Sequence, residues 1–339
     1  MPELNPVSKF SKNYQKANNM PTISAAEIYT RSQELYRQFS PCQLCPHRCL
    51  IHRDKGKLGK CGVGSQAVLS SALPHHGEEP PISGYRGSGT IFLCGCNAKC
   101  IFCQNYQISH LKIGHKVTPT ELAQEHLKLQ ALSCHNINWV TPTPHLPFLV
   151  EALAIAVEKG LSIPVVYNTN GYDRLEILQL LEGIVDIYLP DMKYGADIWA
   201  EEFSALPNYL AVSTQAIREM YRQVGILQLD SQHVAQRGLL IRHLVLPEGT
   251  AGSRKVFQTI AAIDPQIPVS IMAQYHPCYQ AIRHHVIGRR IKKSEYLQVL
   301  EMFAESGLTN AYRQDIAELE NHDPYFPDFN KPDEEIFGR

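Results

Sequence analysis

The sequence predicts an α/β protein in which a parallel sheet is covered by helices. From residue 88 onward, six short apolar runs alternate with helical patterns, as in repeated strand–helix units. The runs show little polar alternation, which is typical of strands buried on both faces of a parallel sheet. This pattern leaves a doubly wound sheet and a barrel as alternatives. The predicted strands cover residues 90–94, 136–140, 163–167, 185–189, 239–246 and 269–272.

Capping residues and apolar spacing predict the helices. Ser24 and Glu27 have the spacing of a capping box, in which each end of the pattern satisfies a free backbone N–H of the first turn. Thr118 and Glu121 repeat that spacing, with Pro119 at the first helical position. The predicted helices cover residues 24–38, 118–132, 146–159, 173–182, 253–263 and 294–306.

Four regions follow from this organisation. Residues 1–40 are an N-terminal arm and helix, and the arm is polar and without pattern. Residues 41–87 are rich in Cys, Pro and Gly, which argues for loops that a metal could organise. Residues 88–310 hold the strand–helix units, and residues 311–339 form a polar C-terminal tail.

Composition limits the partners and the compartment. The 339 residues carry 32 Lys+Arg against 33 Asp+Glu, a balance that disfavours nucleic acid or an anionic membrane as a partner bound by bulk charge. The N-terminus has no apolar signal region, and the longest apolar stretch is too short to span a bilayer. We therefore expect a cytoplasmic protein whose ten cysteines are reduced or bound to metal.

Eight of the ten cysteines fall into two groups. Cys96, Cys100 and Cys103 lie in a short loop just after the first predicted strand, and Cys94 lies inside that strand. Three thiolates suit a zinc site poorly, and they would leave one iron of a four-iron cluster without a protein ligand, which is the open position that catalysis needs. The alternative is a closed electron-transfer cluster with Cys94 as the fourth ligand.

The string CNAKCIFC at residues 96–103 resembles the three-cysteine signature of the radical S-adenosylmethionine (SAM) superfamily. Longer strings resemble its pyruvate formate-lyase-activating-enzyme-like branch, and the similarity extends over about residues 40–330. These strings are GEEPPISG at 77–84, GSGTIF at 87–92, CQNYQIS at 103–109, YLPDMKY at 188–194, IRHLVLP at 241–247 and MAQYHP at 272–277.

The resemblance implies a partial (β/α)6 TIM-type barrel preceded by a Cys-rich, loop-rich extension. It implies that Cys96, Cys100 and Cys103 hold a [4Fe–4S] cluster whose fourth iron binds SAM. One-electron reduction then cleaves SAM and yields a 5′-deoxyadenosyl radical that abstracts a hydrogen atom from the substrate.

The resemblance also suggests which residues bind SAM. Polar residues at the predicted strand ends fit this role, because barrel active sites lie at the C-terminal ends of the strands. Arg242 resembles the residue that meets the SAM carboxylate, for which a guanidinium fork is suited. The other predicted SAM-binding residues are Phe102, Thr141, Thr143, Asn168, Asn170, Asp191, Lys193 and His276.

One segment departs from the family pattern. Many members carry Gly-Gly-Glu after the second strand, where the carboxylate receives the amino group of SAM. This chain has Thr141, Pro142 and Thr143 there, whose oxygens can accept hydrogen bonds but carry no charge.

The first cysteine group predicts a second metal site. Cys42, Cys45, Cys49 and Cys61 supply four thiolates, enough to close a tetrahedral zinc site or to hold a second [4Fe–4S] cluster.

The leading hypothesis is a radical SAM enzyme supplied by an electron donor such as flavodoxin or ferredoxin. A backbone glycine of a partner enzyme is one candidate substrate, and another peptide, a nucleotide or a small molecule is the alternative. A non-catalytic electron carrier or redox sensor is the competing class. No catalytic side chain is assigned.

Overall fold

The computed structural model describes residues 23–314 and 327–337, so the predicted loose arm and part of the predicted tail lie outside the described residues. The strands are β1 (Ala67–His75), β2 (Ser88–Leu93), β3 (His115–Val117), β4 (Ile137–Val140), β5 (Val165–Thr169), β6 (Ile187–Pro190), β7 (Gln228–Leu229), β8 (Ala235–Leu239), β9 (Ile241–Leu244), β10 (Val269–Met272) and β11 (Ala311–Arg313). The helices are α1 (Ala25–Arg37), α2 (Pro80–Ser83), α3 (Tyr106–Ser109), α4 (Pro119–Ala131), α5 (Leu146–Glu158), α6 (Leu175–Gln179), α7 (Asp197–Ser204), α8 (Tyr209–Val224), α9 (Ser253–Ala261) and α10 (Lys293–Glu305).

The strands form two sheets joined by a bridge. The first has the order β3-β1-β2-β4-β5-β6-β8-β7, and the second has the order β11-β10-β9. Pairing is parallel from β2 through β4, β5 and β6 to β8, and again among β9, β10 and β11. A parallel bridge between Asp191 and Arg242 connects the end of β6 to β9.

This arrangement confirms the predicted α/β class with a mostly parallel sheet. The six strands β2, β4, β5, β6, β9 and β10 follow one another in chain order around the barrel. Among the described residues β3 and β11 are sheet edges, so the barrel is open. None of the helices in the described part of the chain is long and apolar enough to cross a membrane.

Burial explains the continuously apolar strands. Every residue of β2, β4, β5 and β6 is buried. Alternate side chains such as Trp139, Tyr167 and Tyr188 pack outward against the helices in the main hydrophobic core. Their neighbours Asn138 and Asn168 are polar and also buried, and they take part in the site described below.

The predicted caps are formed. The Ser24 side chain accepts a hydrogen bond from Glu27 N at the start of α1. At the start of α4, Thr118 and Glu121 make the full reciprocal capping box, with Pro119 as the first helical residue. Both helices begin and end within about one residue of the predicted positions.

Four expectations about elements require correction. Residues 67–75 of the predicted loop-rich segment form β1, which pairs antiparallel with β2 and so belongs to the sheet. The predicted strand 239–246 is divided at Leu240 between β8, which pairs with β6, and β9, which pairs with β10. Residues 311–313 of the predicted tail form β11 beside β10. The predicted helix 173–182 is only the short α6.

Arg53 fastens the loop between α1 and β1 to the barrel. Its side chain is buried, donates to the carbonyls of Gly64 at 3.2 Å and Pro144 at 2.9 Å, and lies 4.2 Å above the centroid of the Phe39 ring. Pro144 follows β4, so this loop is held at the end of the barrel where the parallel strands terminate.

Candidate active site

The barrel cysteine loop, residues 96–103, leaves the C-terminal end of β2 and is fixed by its backbone. Lys99 N donates to Ser204 O at 2.8 Å, and Ile101 N donates to Phe203 O at 2.9 Å. These bonds fasten the loop to the last turn of α7. The loop therefore has a defined shape although it has no regular secondary structure of its own.

Each of the three cysteine sulfurs has a hydrogen-bonding neighbour. Asn170 Nδ2 donates to Cys96 Sγ at 3.4 Å, and Ser204 Oγ donates to Cys100 Sγ at 2.9 Å. Cys103 Sγ lies 3.2 Å from Ser109 Oγ. Hydrogen bonds to cysteine sulfur are one means by which proteins adjust the potential of an iron–sulfur cluster.

The same thiols are close to one another; Cys96 and Cys100 are buried and Cys103 is half-buried. Burial, followed by repulsion from the neighbouring cysteines, raises the pKa of Cys96 and of Cys103 to about 12. Burial also raises the pKa of Cys100, and the nearby Lys193 ammonium opposes that shift. Because metal coordination needs the thiolate, a bound cluster would have to displace these protons. The donor set of three clustered, hydrogen-bonded cysteines fits a [4Fe–4S] cluster with one open iron.

Cys94 belongs to a different environment. Its Sγ donates to Ile113 O at 3.1 Å, and it packs with Phe92, Ile108 and Val140 in a separate apolar cluster. This is the packing expected of a buried core cysteine.

A polar network extends from the barrel cysteine loop into the barrel. Lys193 Nζ donates to Asp191 Oδ2 at 2.5 Å, and Arg242 Nε donates to Asp191 Oδ1 at 2.9 Å. Arg242 Nη2 also donates to Asn168 Oδ1 at 2.6 Å. Burial disfavours the Asp191 carboxylate, but Arg242 and Lys193 outweigh it and lower the pKa of Asp191. The predicted residues Asn168, Asp191, Lys193 and Arg242 therefore lie together.

Two carboxylates of this network, and Asn138 beside them, were not predicted. Glu78 Oε1 accepts from Asn138 Nδ2 at 3.3 Å and from Asn168 Nδ2 at 3.1 Å, while Glu78 Oε2 lies 3.3 Å from Arg242 Nη1. Glu79 Oε2 lies 4.0 Å from the same nitrogen. Both belong to the GEEPPISG string, but their place inside the barrel depends on the antiparallel pairing of β1 with β2.

The remaining predicted residues lie at different distances from this network. Asn170 bonds to Cys96 Sγ and to Asn97 Oδ1 and so joins the barrel cysteine loop. The Phe102 ring centroid is 5.7 Å from that of Tyr275, which brings the loop after β10 to the barrel cysteine loop. His276 follows Tyr275 in that loop and is half-buried.

The segment that departs from the family pattern has an unusual backbone. Thr141 has a φ of +56°, in the left-handed region that a β-branched residue rarely adopts. The Thr143 hydroxyl is buried and donates to Asp173 Oδ1 at 2.7 Å, with the Tyr167 hydroxyl 3.2 Å away. The Thr143 hydroxyl is thus hydrogen-bonded to core residues rather than to Arg242.

The N-terminal cysteine loop, residues 42–61, brings its four cysteines near one another. Burial, with smaller contributions from the other three thiols, raises the pKa of Cys45 to about 12. Cys42 is buried, whereas Cys45, Cys49 and Cys61 are half-buried. No three His, Cys, Asp or Glu side chains in residues 23–314 and 327–337 are grouped as ligands of one metal ion. The second metal stays a prediction.

The two cysteine loops touch. His47 Nε2 donates to the carbonyl of Asn97 at 2.8 Å, and its ring centroid is 5.2 Å from that of Tyr172. A side chain at Gly95 would come within 2.6 Å of Cys61 O, so the backbones also meet closely. Sequence spacing could not reveal this contact, because 50 residues separate His47 from Asn97.

Comparison with known proteins agrees with this site. Residues 90–223 match the family described as the radical SAM superfamily, a range that contains the three-cysteine loop. The chain belongs to the radical SAM superfamily. That membership implies an enzyme that uses a [4Fe–4S] cluster and SAM.

Two relatives come from Methanocaldococcus jannaschii. Uncharacterized protein MJ0674 is 32% identical over 284 residues, which are 81% of this chain and 77% of that protein. Uncharacterized protein MJ0808 is 29% identical over 177 residues, 47% of this chain and 50% of that protein. A crystal structure of methylornithine synthase (PylB) matches with a TM-score of 0.42 and 14% identity, over 62% of this chain and 60% of that one.

Proposed function

We propose that the chain cleaves SAM reductively at a [4Fe–4S] cluster held by Cys96, Cys100 and Cys103, and that a substrate in the barrel then loses a hydrogen atom. When bound, the cluster and SAM together supply the electron and the 5′-deoxyadenosyl radical for this reaction. The observation that carries the proposal is the barrel cysteine loop, in which three neighbouring sulfurs each have a hydrogen-bonding neighbour and Cys94 is held elsewhere.

The chain's own residues would position SAM around this loop. Lys193 places a positive charge beside Cys100, where it favours the thiolate over the thiol. Arg242 is held by Asp191 and Asn168, so its guanidinium is oriented before any ligand arrives. Such preorganisation reduces the entropy lost on binding and supports a role for Arg242 toward the SAM carboxylate.

The branch and the partners are part of the proposal. The strings at residues 77–84 and 188–194 support an enzyme like the pyruvate formate-lyase-activating enzymes, for which a backbone glycine is the candidate substrate. The cluster needs a one-electron donor, for which flavodoxin or ferredoxin is suited. None of the ten cysteines, all of which lie in the described residues, forms a disulfide, and we propose a reducing compartment such as the cytoplasm.

The decisive experiment is anaerobic reconstitution with iron and sulfide, followed by reduction with dithionite. We expect a reduced-cluster EPR signal that shifts when SAM is added, and 5′-deoxyadenosine that accumulates with time. A cluster whose signal ignores SAM and yields no 5′-deoxyadenosine would instead support an electron carrier.

A further inference from the structure

A pair of glutamates lies inside the barrel beyond Arg242. Glu78 and Glu79 follow β1 and precede α2, and only 9% of the Glu78 side chain and 7% of the Glu79 side chain are exposed. Glu78 contacts Asn138, whose position in β4 is one residue from the start of the strand. The pair therefore lies deeper in the barrel than the strand ends that carry the barrel cysteine loop.

The order of contacts separates the glutamate pair from the barrel cysteine loop. Lys193 is next to Cys100, Asp191 binds Lys193 and Arg242, and Arg242 binds Glu78. The cysteines and the glutamates are thus at opposite ends of this chain of contacts. A substrate attacked by a radical formed near the cysteines would extend into the barrel, toward the glutamates.

If its carboxyl groups are all ionised, this network has one more negative charge than positive charge. Three carboxylates, those of Glu78, Glu79 and Asp191, face two cations, Arg242 and Lys193. Burying an unpaired carboxylate is costly unless a cation or a proton joins it. Burial raises the pKa of Glu79 to about 7 despite the attraction of Arg242, so a proton can fill this role until a cation arrives.

Two buried acceptor atoms, in residues that adjoin Glu78, have no hydrogen-bond partner. They are Glu79 Oε2 and Asn138 Oδ1, in residues that are 8% and 0% exposed. Each needs a donor, and leaving such atoms unpaired in a protein interior costs free energy. A group that carries several N–H donors and a positive charge satisfies both the acceptors and the charge.

We propose that Glu79, with Glu78 and Asn138, binds the ammonium group of the substrate, so that the substrate class is a primary alkylamine. This inference rests on the proposed function for the role of substrate, but not for the binding site itself. Glu78 is held by Asn138, Asn168 and Arg242, which leaves Glu79 as the more available carboxylate.

The test measures binding of two isosteric probes to the anaerobically reconstituted protein with SAM present. Isothermal titration calorimetry compares n-butylammonium chloride with n-butanol, which has the same chain without the charge. We expect saturable binding of n-butylammonium and at least tenfold weaker binding of n-butanol. Equal binding of the two probes, or binding of neither, would overturn the inference without any variant.

Glu79→Gln removes the charge while keeping the shape, and it should weaken n-butylammonium binding at least tenfold. The matched control is Glu305→Gln on α10, an exposed glutamate paired with Arg254 on the surface. We expect the control to bind as the wild type does. Unchanged affinity in a folded Glu79→Gln protein would contradict the proposed role of Glu79.

Competition with SAM separates the two sources of an ammonium group. If raising the SAM concentration displaces n-butylammonium, the pair binds the amino group of SAM and the substrate assignment is wrong. Binding that persists at saturating SAM supports it. Failure of the proposed function is distinguishable, because it would remove 5′-deoxyadenosine formation and leave the selectivity for n-butylammonium in place.

Discussion

The barrel cysteine loop and the N-terminal cysteine loop offer the same kind of ligand in two different settings. The barrel loop supplies three sulfurs, and the side chains around them come from four other segments of the barrel: Ser109, Asn170, Lys193 and Ser204. The N-terminal loop supplies four sulfurs and is shaped by its own backbone, with left-handed residues Arg48 and Leu50 on either side of Cys49.

We interpret this difference as one between a proposed SAM-binding site and a predicted structural metal site. Three ligands leave a coordination position open, and the polar residues nearby belong to the barrel that would hold SAM and substrate. Four ligands would leave none open, and we predict that a metal there would stabilise a loop with so little periodic apolar pattern. The contact between His47 and Asn97 nevertheless makes the two loops neighbours.

The largest expected effect concerns the ligands of the barrel loop. Changing Cys96, Cys100 or Cys103 to Ala should abolish 5′-deoxyadenosine formation, because two thiolates cannot replace the three that hold the cluster. Cys94→Ala should retain most of the activity, since Cys94 Sγ is bonded to Ile113 O.

Cys134→Ala, a buried cysteine outside both groups, is the control for the loss of any core thiol. Iron content is measured alongside 5′-deoxyadenosine for each variant. Loss of the cluster in Cys94→Ala but not in Cys134→Ala would refute the three-ligand site.

Substitution of Arg242 tests whether SAM binding and stability depend on the buried charged residues next to the barrel cysteine loop. Arg242→Ala should weaken SAM binding by roughly 1.5–3 kcal/mol, the value of a hydrogen bond to a charged group. It should also lower the free energy of unfolding by roughly 3–5 kcal/mol, because Glu78 would be left buried without its cationic partner.

Calorimetry with SAM and thermal unfolding measure these two effects. Arg254→Ala is the control, because its pair with Glu305 is exposed and should contribute at most about 1 kcal/mol. A dissociation constant for SAM that does not change would remove Arg242 from the binding site.

Local signals predict much of this fold. The apolar runs at residues 136–140 and 269–272 correspond to β4 and β10, and the caps at Ser24 and Thr118 are formed as their side chains suggest. The run at residues 239–246 is different, because nothing local marks Leu240 as the point where β8 ends. That division arises from pairing with β6 on one side and β10 on the other.

Local sequence signals likewise predict only part of the candidate active site. Asn168 and Asp191 were predictable because both lie at the carboxyl end of a parallel strand, where such positions meet. Arg242, the second residue of β9, was predicted from the family resemblance. Glu78 and Glu79 precede the first barrel strand, and only the return of β1 alongside β2 brings them inside. The family pattern places a carboxylate after the second strand, but this chain has Thr141 to Thr143 there. The carboxylates of Glu78 and Glu79 instead reach the barrel from the segment between β1 and β2.

An intermediate effect, on local stability, is expected when a cysteine of the N-terminal cysteine loop is replaced. Cys45→Ala should lower the stability of residues 40–65 and raise their protease sensitivity, because metal binding supplies much of the folding free energy of a loop-rich segment. The EPR shift on SAM addition should persist, since the barrel loop keeps its own ligands. Limited proteolysis and EPR measure the two properties.

Metal analysis of the wild-type protein identifies the second site. About one zinc beside about four irons indicates a zinc site, and about eight irons indicate two clusters. About four irons without zinc in fully loaded, active protein would refute a second site of either kind.

The smallest expected effect concerns the hydrogen bond from His47 to Asn97, which joins the two cysteine loops. Burial lowers the pKa of His47, so its ring is neutral at pH 7 and its Nε2–H donates to Asn97 O. His47→Ala should cost about 1 kcal/mol, the net value of one hydrogen bond, and should increase amide hydrogen exchange in both loops. His52→Ala is the matched control, because His52 lies in the same loop but is exposed and contacts Ser40, just before the loop. Since His47 acts on the N-terminal loop and on Asn97 beside Cys96, only its substitution should raise exchange at residues 96–99. An equal increase at residues 96–99 in both variants would mean that His47 stabilises the N-terminal loop alone, and that the two cysteine groups are neighbours without being coupled.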